Sequence, residues 1–197
     1  MEAVESRAGD ERLRLFLGLR LPEPWLDAIV AWQASHLRGV RVVPRENLHV
    51  TVAFLGQRPA GELEAILGEL RAAAAAAPAD LRLAPSRYRE TRSVAMLVFE
   101  DLGGGCTAFA EDVQARLEGL GVYRRENRPW LPHVTVGRFR ERPRLHLEVP
   151  RVGPEAARSD ASMGTGVLIP SDAAAYLSRL RPGGARYEVL ESVALGG

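Results

Sequence analysis

The sequence predicts an α+β fold built as an internally duplicated domain, on three observations. Segments with strand period and segments with helix period follow one another without regular βα alternation. The tetrapeptide His-Val-Thr-Val occurs twice, at His49–Val52 and His133–Val136, 84 residues apart, and each copy falls on a strand that follows a helix. That spacing is too long for a solenoid repeat and fits a two-fold duplication. The third is size: 197 residues are enough for one substantial core, or for two small lobes built on it.

The elements follow in order. Residues 1–11 are charged, lack the apolar core of a signal peptide, and read as a disordered lead-in to a domain spanning 12–197. Leu13 to Leu21 alternates arginine with apolar residues and stops at Pro22, a strand. Pro24 sits in the first turn of a helix carrying Trp25, Leu26, Ile29, Val30 and Leu37, closed by Gly39. Val40 to Val43 is a short strand or an extended entry to Pro44. Leu48 to Leu55, with the first repeat, is a strand ended by Gly56. Gly61 to Ala77 is a helix with Leu63, Ile66, Leu67 and Leu70 on one face, terminated by Pro78.

Leu81 to Ala84 and Val94 to Glu100 read as strands either side of an Arg/Tyr-rich connection. Gly103-Gly104-Gly105 turns into a helix through Phe109, Val113, Leu117 and Leu120. Tyr123 to Trp130 is polar and arginine-rich. Pro132 to Phe139 is the strand of the second repeat, and Leu145 to Val149 is another alternating strand. Glu155 to Thr165 is loop-like and Gly166 to Ile169 a short apolar run. Ala174 to Leu180 fits strand or short helix. Pro182-Gly183-Gly184 turns into a closing strand, Tyr187 to Leu195.

Composition narrows the function classes. A net charge of +1 argues against a polyanion binder that works by bulk charge. Every basic residue is arginine; genomic base composition accounts for that, yet arginine also suits bidentate phosphate contacts. Cys106 is alone, so no intrachain disulfide forms, and a reducing cytoplasm is the expected setting. No apolar run approaches a membrane span, so no membrane partner is expected.

The repeat carries chemistry. Residues two apart on a strand share a face, so His49 and Thr51 point one way while Val50 and Val52 point the other. His133 and Thr135 repeat this with Val134 and Val136 behind them. A single histidine on a half-buried strand is usually structural; two in identical contexts, one per half, point to catalysis. If the strands lie side by side, the two His/Thr pairs converge on one cleft. There one neutral imidazole can take a proton from a nucleophile and one protonated imidazole can give a proton to a leaving oxygen. Ordinary histidine pKa values near 6.5 serve both roles. The threonine hydroxyls can donate to phosphate oxygens, and neither metal nor other cofactor is required.

The segments Pro44 to Gly56 and Trp130 to Arg138 resemble the two signatures of the two-histidine phosphoesterases. Within that superfamily the chain is similar to the LigT-like RNA 2′,3′-cyclic phosphodiesterases, also named 2′-5′ RNA ligases. Arg14 to Leu19 and Gly183 to Leu190 also resemble that family. The resemblance implies a bilobal α+β fold, with two antiparallel sheets lining a central cleft and helices outside. It implies metal-independent hydrolysis of 2′,3′-cyclic phosphates, on RNA ends or small cyclic nucleotides, to 2′-phosphomonoesters; nothing in the sequence pattern demands a partner chain, so a monomer is expected. It also implies that His49 is the general acid on the 3′ oxygen, His133 the base that activates water, and Thr51 and Thr135 the phosphate holders; the residues alone do not rank the histidines. The same site run backwards is an RNA ligase. A non-catalytic RNA-binding module is the alternative of another class, and intact His and Thr in both repeats argue against it.

Arg138, five residues after His133, matches a phosphate-contacting arginine of the similar enzymes, and Phe54 holds the corresponding place in the first half. Strand parity turns Arg138 away from His133 unless Gly137 permits a bulge; otherwise it is a solvated surface arginine. Phe54 and Trp130 can stack on a base or pack apolar neighbours. The segments Tyr88–Arg92 and Tyr123–Arg128 can line a nucleic-acid entrance or lie in solvent. His36 suits a helix C-terminus, His146 faces away from the core, and neither has metal-ligand spacing. Gly103 to Gly105 lacks a phosphate loop's Lys-Ser/Thr, and Cys106 lacks an activating histidine nearby in sequence.

Overall fold

A computed structural model of the chain describes residues 11–150, 166–182 and 184–195. Its strands are β1 (Arg12–Arg20), β2 (Arg41–Val42), β3 (His49–Pro59), β4 (Leu83–Glu90), β5 (Val94–Asp101), β6 (His133–Arg138), β7 (Asp172–Arg181) and β8 (Gly184–Ala194). Its helices are α1 (Glu23–His36), α2 (Leu63–Ala75) and α3 (Gly105–Gly119). The expected lead-in over residues 1–10 and the loop over 155–165 lie outside the described residues.

The α+β class holds. All strand pairings are antiparallel, in the order β4-β5-β6-β3-β1-β7-β8, with the short β2 on β6. The two expected sheets are therefore one sheet. Its halves meet where β3 pairs with β6, in a register that sets Val50 against Val134, the second residue of each repeat. Both valines are fully buried, and pairing there spares two buried strand edges from carrying unpartnered backbone groups.

Alternation builds the layers. Leu15, Leu17 and Leu19 of β1, Val50 and Val52 of β3, Leu97 and Phe99 of β5, and Val134 and Val136 of β6 face the helices. Against them pack Trp25, Ile29 and Trp32 of α1, Ile66 and Leu70 of α2, and Phe109, Val113 and Leu117 of α3, in one core. The opposite face carries His49, Thr51, His133 and Thr135, with Phe16 and Tyr176 in a small aromatic cluster. Among the described residues no helix is long and apolar enough to cross a membrane.

Four expectations need correction. Val30 is exposed on α1, and Trp32 and Gln33 are buried in its place. Gly56 does not end its strand: at φ +69° it sits in a bulge opposite Leu15, and β3 continues to Pro59. The Arg/Tyr-rich connection is largely strand, since β4 runs through Tyr88 and Arg89 to Glu90. Leu145 to Val149 keeps its alternating burial but pairs with no strand. Its backbone is engaged elsewhere: the N–H groups of Arg144 and Leu145 donate to the buried Glu90 carboxylate at 2.9 and 2.8 Å, and the Trp32 indole donates to Glu148 O at 2.8 Å. Ala174 to Leu180 resolves as strand, within β7, and Leu168 forms an isolated bridge to Leu83.

Candidate active site

The antiparallel match of Val50 with Val134 relates the repeats by a local two-fold, so both His/Thr pairs emerge on the same face. His49, Thr51, His133, Thr135, Arg138 and Phe54 all line one cleft of about 660 Å³. Each histidine is held in the same way. Nδ1–H of His49 donates to Asn47 O at 2.7 Å, and Nδ1–H of His133 donates to Leu131 O at 2.8 Å. A carbonyl only accepts, so Nδ1 carries the hydrogen and Nε2 is left for chemistry. Nε2 of His49 lies 2.9 Å from Thr51 Oγ1, where the hydroxyl donates to the neutral ring.

Their surroundings differ. Phe16, Tyr187 and Tyr176 pack around His49 with ring centroids 4.7, 5.4 and 5.5 Å away. A Cβ at Gly18 would lie 2.9 Å from Val50 O and 3.2 Å from the His49 ring, so only glycine admits the imidazole here. This burial pulls the His49 pKa down to about 4; the Asn47 carbonyl opposes the shift, while the charges of His133 and Arg138 add to it. The expectation of two unperturbed imidazoles thus fails at His49, which is neutral near pH 7 in the empty cleft.

The parity problem at Arg138 is resolved by a bulge. Met96 pairs with Thr135 and Ala95 with Gly137, which leaves Val136 as an extra residue and returns Arg138 to the cleft face. The same event occurs in β3: Gly18 pairs with Thr51 and Leu17 with Ala53, leaving Val52 extra and turning Phe54 to the cleft. Val52 and Val136 are the same position of the repeat. Each bulge carbonyl accepts from a buried glutamine, Val52 O from Gln114 Nε2 at 2.9 Å and Val136 O from Gln33 Nε2 at 2.8 Å. A Cβ at Gly137 would lie 2.7 Å from Val40, which explains the glycine after the second bulge.

Sequence reasoning missed the two glutamines, the aromatic wall around His49, and Asn47. The Asn47 amide ties β8 to the site, donating to Ala185 O at 2.8 Å and accepting from Tyr187 N at 3.3 Å. Repeat arithmetic could have found the bulges; nothing local marks the rest. Arg14, Arg41, Arg128 and Arg181 also reach the cleft. Arg14 lies over the Phe54 ring at 4.6 Å. Trp130 packs against the core and donates to Thr51 O at 3.0 Å, which orients it.

The remaining candidates take other places. His36 Nδ1 meets Trp32 O at 2.9 Å near the end of α1, and His146 is exposed. Cys106 is buried, and burial pushes its thiol up to about 12. The glycine turn is followed by a capped helix, with Asp101 accepting from Thr107 N at 2.7 Å. Among the described residues no three His, Cys, Asp or Glu side chains form a metal-binding group.

One antiparallel sheet that presents two His-x-Thr pairs about a local two-fold, into one cleft, defines a two-histidine phosphoesterase. The chain belongs to the 2′-5′ RNA ligase superfamily, whose model matches residues 21–162. It is 32% identical over 194 residues to an RNA 2′,3′-cyclic phosphodiesterase of Thermus thermophilus, covering 94% of this chain and 91% of that one. It is 30% identical over 128 residues to an RNA 2′,3′-cyclic phosphodiesterase of Escherichia coli, covering 64% and 72%. Among solved structures, apo LigT of E. coli superposes with a TM-score of 0.75 at 24% identity, over 95% of this chain and 100% of that one. A T. thermophilus structure gives 0.71 at 28% identity, over 94% and 99%.

Proposed function

We propose that the chain hydrolyses 2′,3′-cyclic phosphates, on RNA ends or small cyclic nucleotides, to 2′-phosphomonoesters. The observation that carries this reading is the matched pair of histidines, both fixed through Nδ1 and both offering Nε2 to one cleft. Relatives named RNA 2′,3′-cyclic phosphodiesterase support the reaction class. Water attacks phosphorus, His133 accepts its proton, the bond from phosphorus to O3′ breaks, and His49 gives O3′ a proton. Thr51 and Thr135 donate to the non-bridging oxygens, Arg138 balances the phosphate charge, and Phe54 stacks on the base. Both repeats lie in one chain, so a monomer suffices and no metal enters a step.

His49 must be protonated to act as the acid, and burial disfavours that in the empty cleft. An arriving phosphodiester supplies an anion beside Nε2, which raises the pKa and lets the proton load with the substrate.

The test is turnover of a 2′,3′-cyclic mononucleotide in EDTA. Wild type turns over, and His49→Ala and His133→Ala each lose about 10²–10⁴-fold in kcat, the usual worth of a general acid or base. Unchanged turnover in either variant would overturn the paired mechanism.

A further inference from the structure

One side chain closes the curl of the sheet. The strands β3-β1-β7-β8 wrap so that the last of them, β8, lies beside the 3₁₀ turn Arg45–Asn47 that leads into β3. Nδ2 of Asn47 donates to Ala185 O at 2.8 Å, and its Oδ1 accepts from Tyr187 N at 3.3 Å. A carbonyl and an N–H two residues apart on one strand are the pair that a neighbouring strand engages. The amide therefore stands in for a peptide group on the edge of β8. Asn47 is buried, which keeps water from replacing either bond. The turn is fastened from its other end, where Arg45 pairs with Asp27 at 2.8 Å and with Glu23, both on α1. Asn47 is thus fixed, and β8 is what it holds.

The same residue holds the histidine. Its backbone oxygen accepts from Nδ1 of His49 at 2.7 Å. Leu131 occupies the equivalent place in the second repeat, and its oxygen serves His133 in the same way at 2.8 Å. A leucine side chain, however, has nothing to offer a neighbouring strand. The symmetry of the two histidine supports therefore breaks at one side chain. It breaks where the Tyr187 ring, carried by the clamped strand, packs edge-on to the imidazole at 5.4 Å. Tyr176 also packs on that imidazole, His133 and Arg138 face it from β6, and the Arg20–Asp172 pair lies beside Tyr176. Of these influences only the Asn47 oxygen favours the charged ring; burial, His133 and Arg138 favour the neutral one.

We propose that Asn47 is the positioning residue of the general acid: its backbone oxygen sets the His49 tautomer, and its side-chain amide holds β8, and with it Tyr187, against the imidazole. The inference rests on the role proposed for His49. Asn47 touches no reacting atom. It acts through His49, by aiming Nε2 into the cleft and by keeping water off the ring until a phosphate anion arrives.

The experiment titrates the histidines of the full chain by NMR, assigned from single His-to-Gln variants, and follows turnover of a 2′,3′-cyclic mononucleotide across pH. In Asn47→Ala the backbone oxygen stays and the clamp goes. The His49 pKa should then rise from about 4 toward the ordinary ~6.5, while His133 keeps its wild-type value. The acid limb of kcat/KM should move up with it. kcat should fall about tenfold, short of the ~10²–10⁴-fold that loss of the acid itself costs, with KM held within about twofold. Asn47→Leu installs the residue of the second repeat and keeps the volume; it should act alike, and it carries the test should Asn47→Ala fail to fold. Tyr187→Ala, which removes the ring and leaves the clamp, should reproduce the rise at His49, and adding Asn47→Ala to it should raise the pKa no further. A folded Asn47 variant in which His49 titrates as in wild type overturns the clamp, even where kcat falls. An equal shift at His133 overturns it too, since that would mean a general loosening of the sheet, and so does a shifted His49 with unchanged kcat. A wild-type chain that hydrolyses no cyclic phosphate sinks the proposed function and the acid with it; the titration needs no turnover and so tells the two failures apart.

Discussion

The proposed mechanism makes His49 the acid, yet its surroundings favour the neutral ring. Three aromatic rings and the absent side chain at Gly18 remove water from it, and burial outweighs the carbonyl that holds Nδ1. The two kinetic parameters should therefore separate. kcat/KM reports the free enzyme, so its acid limb lies near the free His49 value of about 4. kcat reports the complex, in which the bound phosphate anion raises that pKa, so the acid limb of kcat moves to higher pH. Superimposable profiles for the two parameters would show that the substrate does not load the proton. The sequence could identify this histidine but not its pKa, because Phe16, Tyr176 and Tyr187 arrive from β1, β7 and β8, as many as 138 residues away.

At the scale of the strand, the decisive event is one extra residue in each repeat. The bulges at Val52 and Val136 convert an offset of five, which strand parity sends to the wrong face, into one that reaches the cleft. Gln114 on α3 and Gln33 on α1 satisfy the carbonyls the bulges displace, so helices behind the sheet hold Phe54 and Arg138 in front of it. Removing the amide should leave a buried carbonyl short of a donor, at a cost of ~1–3 kcal/mol. Gln114→Leu is expected to lower stability on that scale and to raise KM for a cyclic mononucleotide, with kcat less affected, because the role proposed for Phe54 is binding and not chemistry. Gln33→Leu should act on the second bulge: Val43 N still donates to Val136 O at 3.0 Å, but Val43 O loses the same amide at 3.0 Å, so the stability cost should be at least as large. Denaturant melts and steady-state kinetics check both, and wild-type stability and KM in Gln114→Leu would contradict the assignment. Gly137 made one bulge legible in the sequence. The glutamines were not, since a polar residue on a helix reads as solvent-facing until the partner carbonyl is known. Leu145 to Val149 failed as a strand for a similar reason: its alternation is real, but Glu90 and Trp32 claim its backbone.

Over the whole molecule, the strands of the two repeats join one sheet, with Val50 and Val134 buried at the seam. The active face and the fold's stability are thereby set by overlapping groups, and acid should separate their contributions. His49 has a folded pKa of about 4 against an ordinary 6.5, so the unfolded chain binds the proton first. Its contribution is present above pH 6.5 and is lost as pH falls from there toward 4. Glu90, at the end of edge strand β4, behaves in the other range. Burial alone would raise its pKa, but the Leu145 and Arg144 amides, the Tyr88 hydroxyl and Arg142 together hold it below the ordinary carboxylate value. Its contribution is present above about 4.5 and is lost only as pH falls through the lower folded value. Tm should therefore decline in two stages on acidification. His49→Gln should flatten the stage between about pH 6.5 and 4, and Glu90→Gln, destabilised at neutral pH by two backbone amides that lose their charged acceptor, should flatten the more acid one. Thermal melts across pH on wild type and both variants give the answer: a first stage that survives in His49→Gln would mean that another group sets the acid sensitivity of this fold.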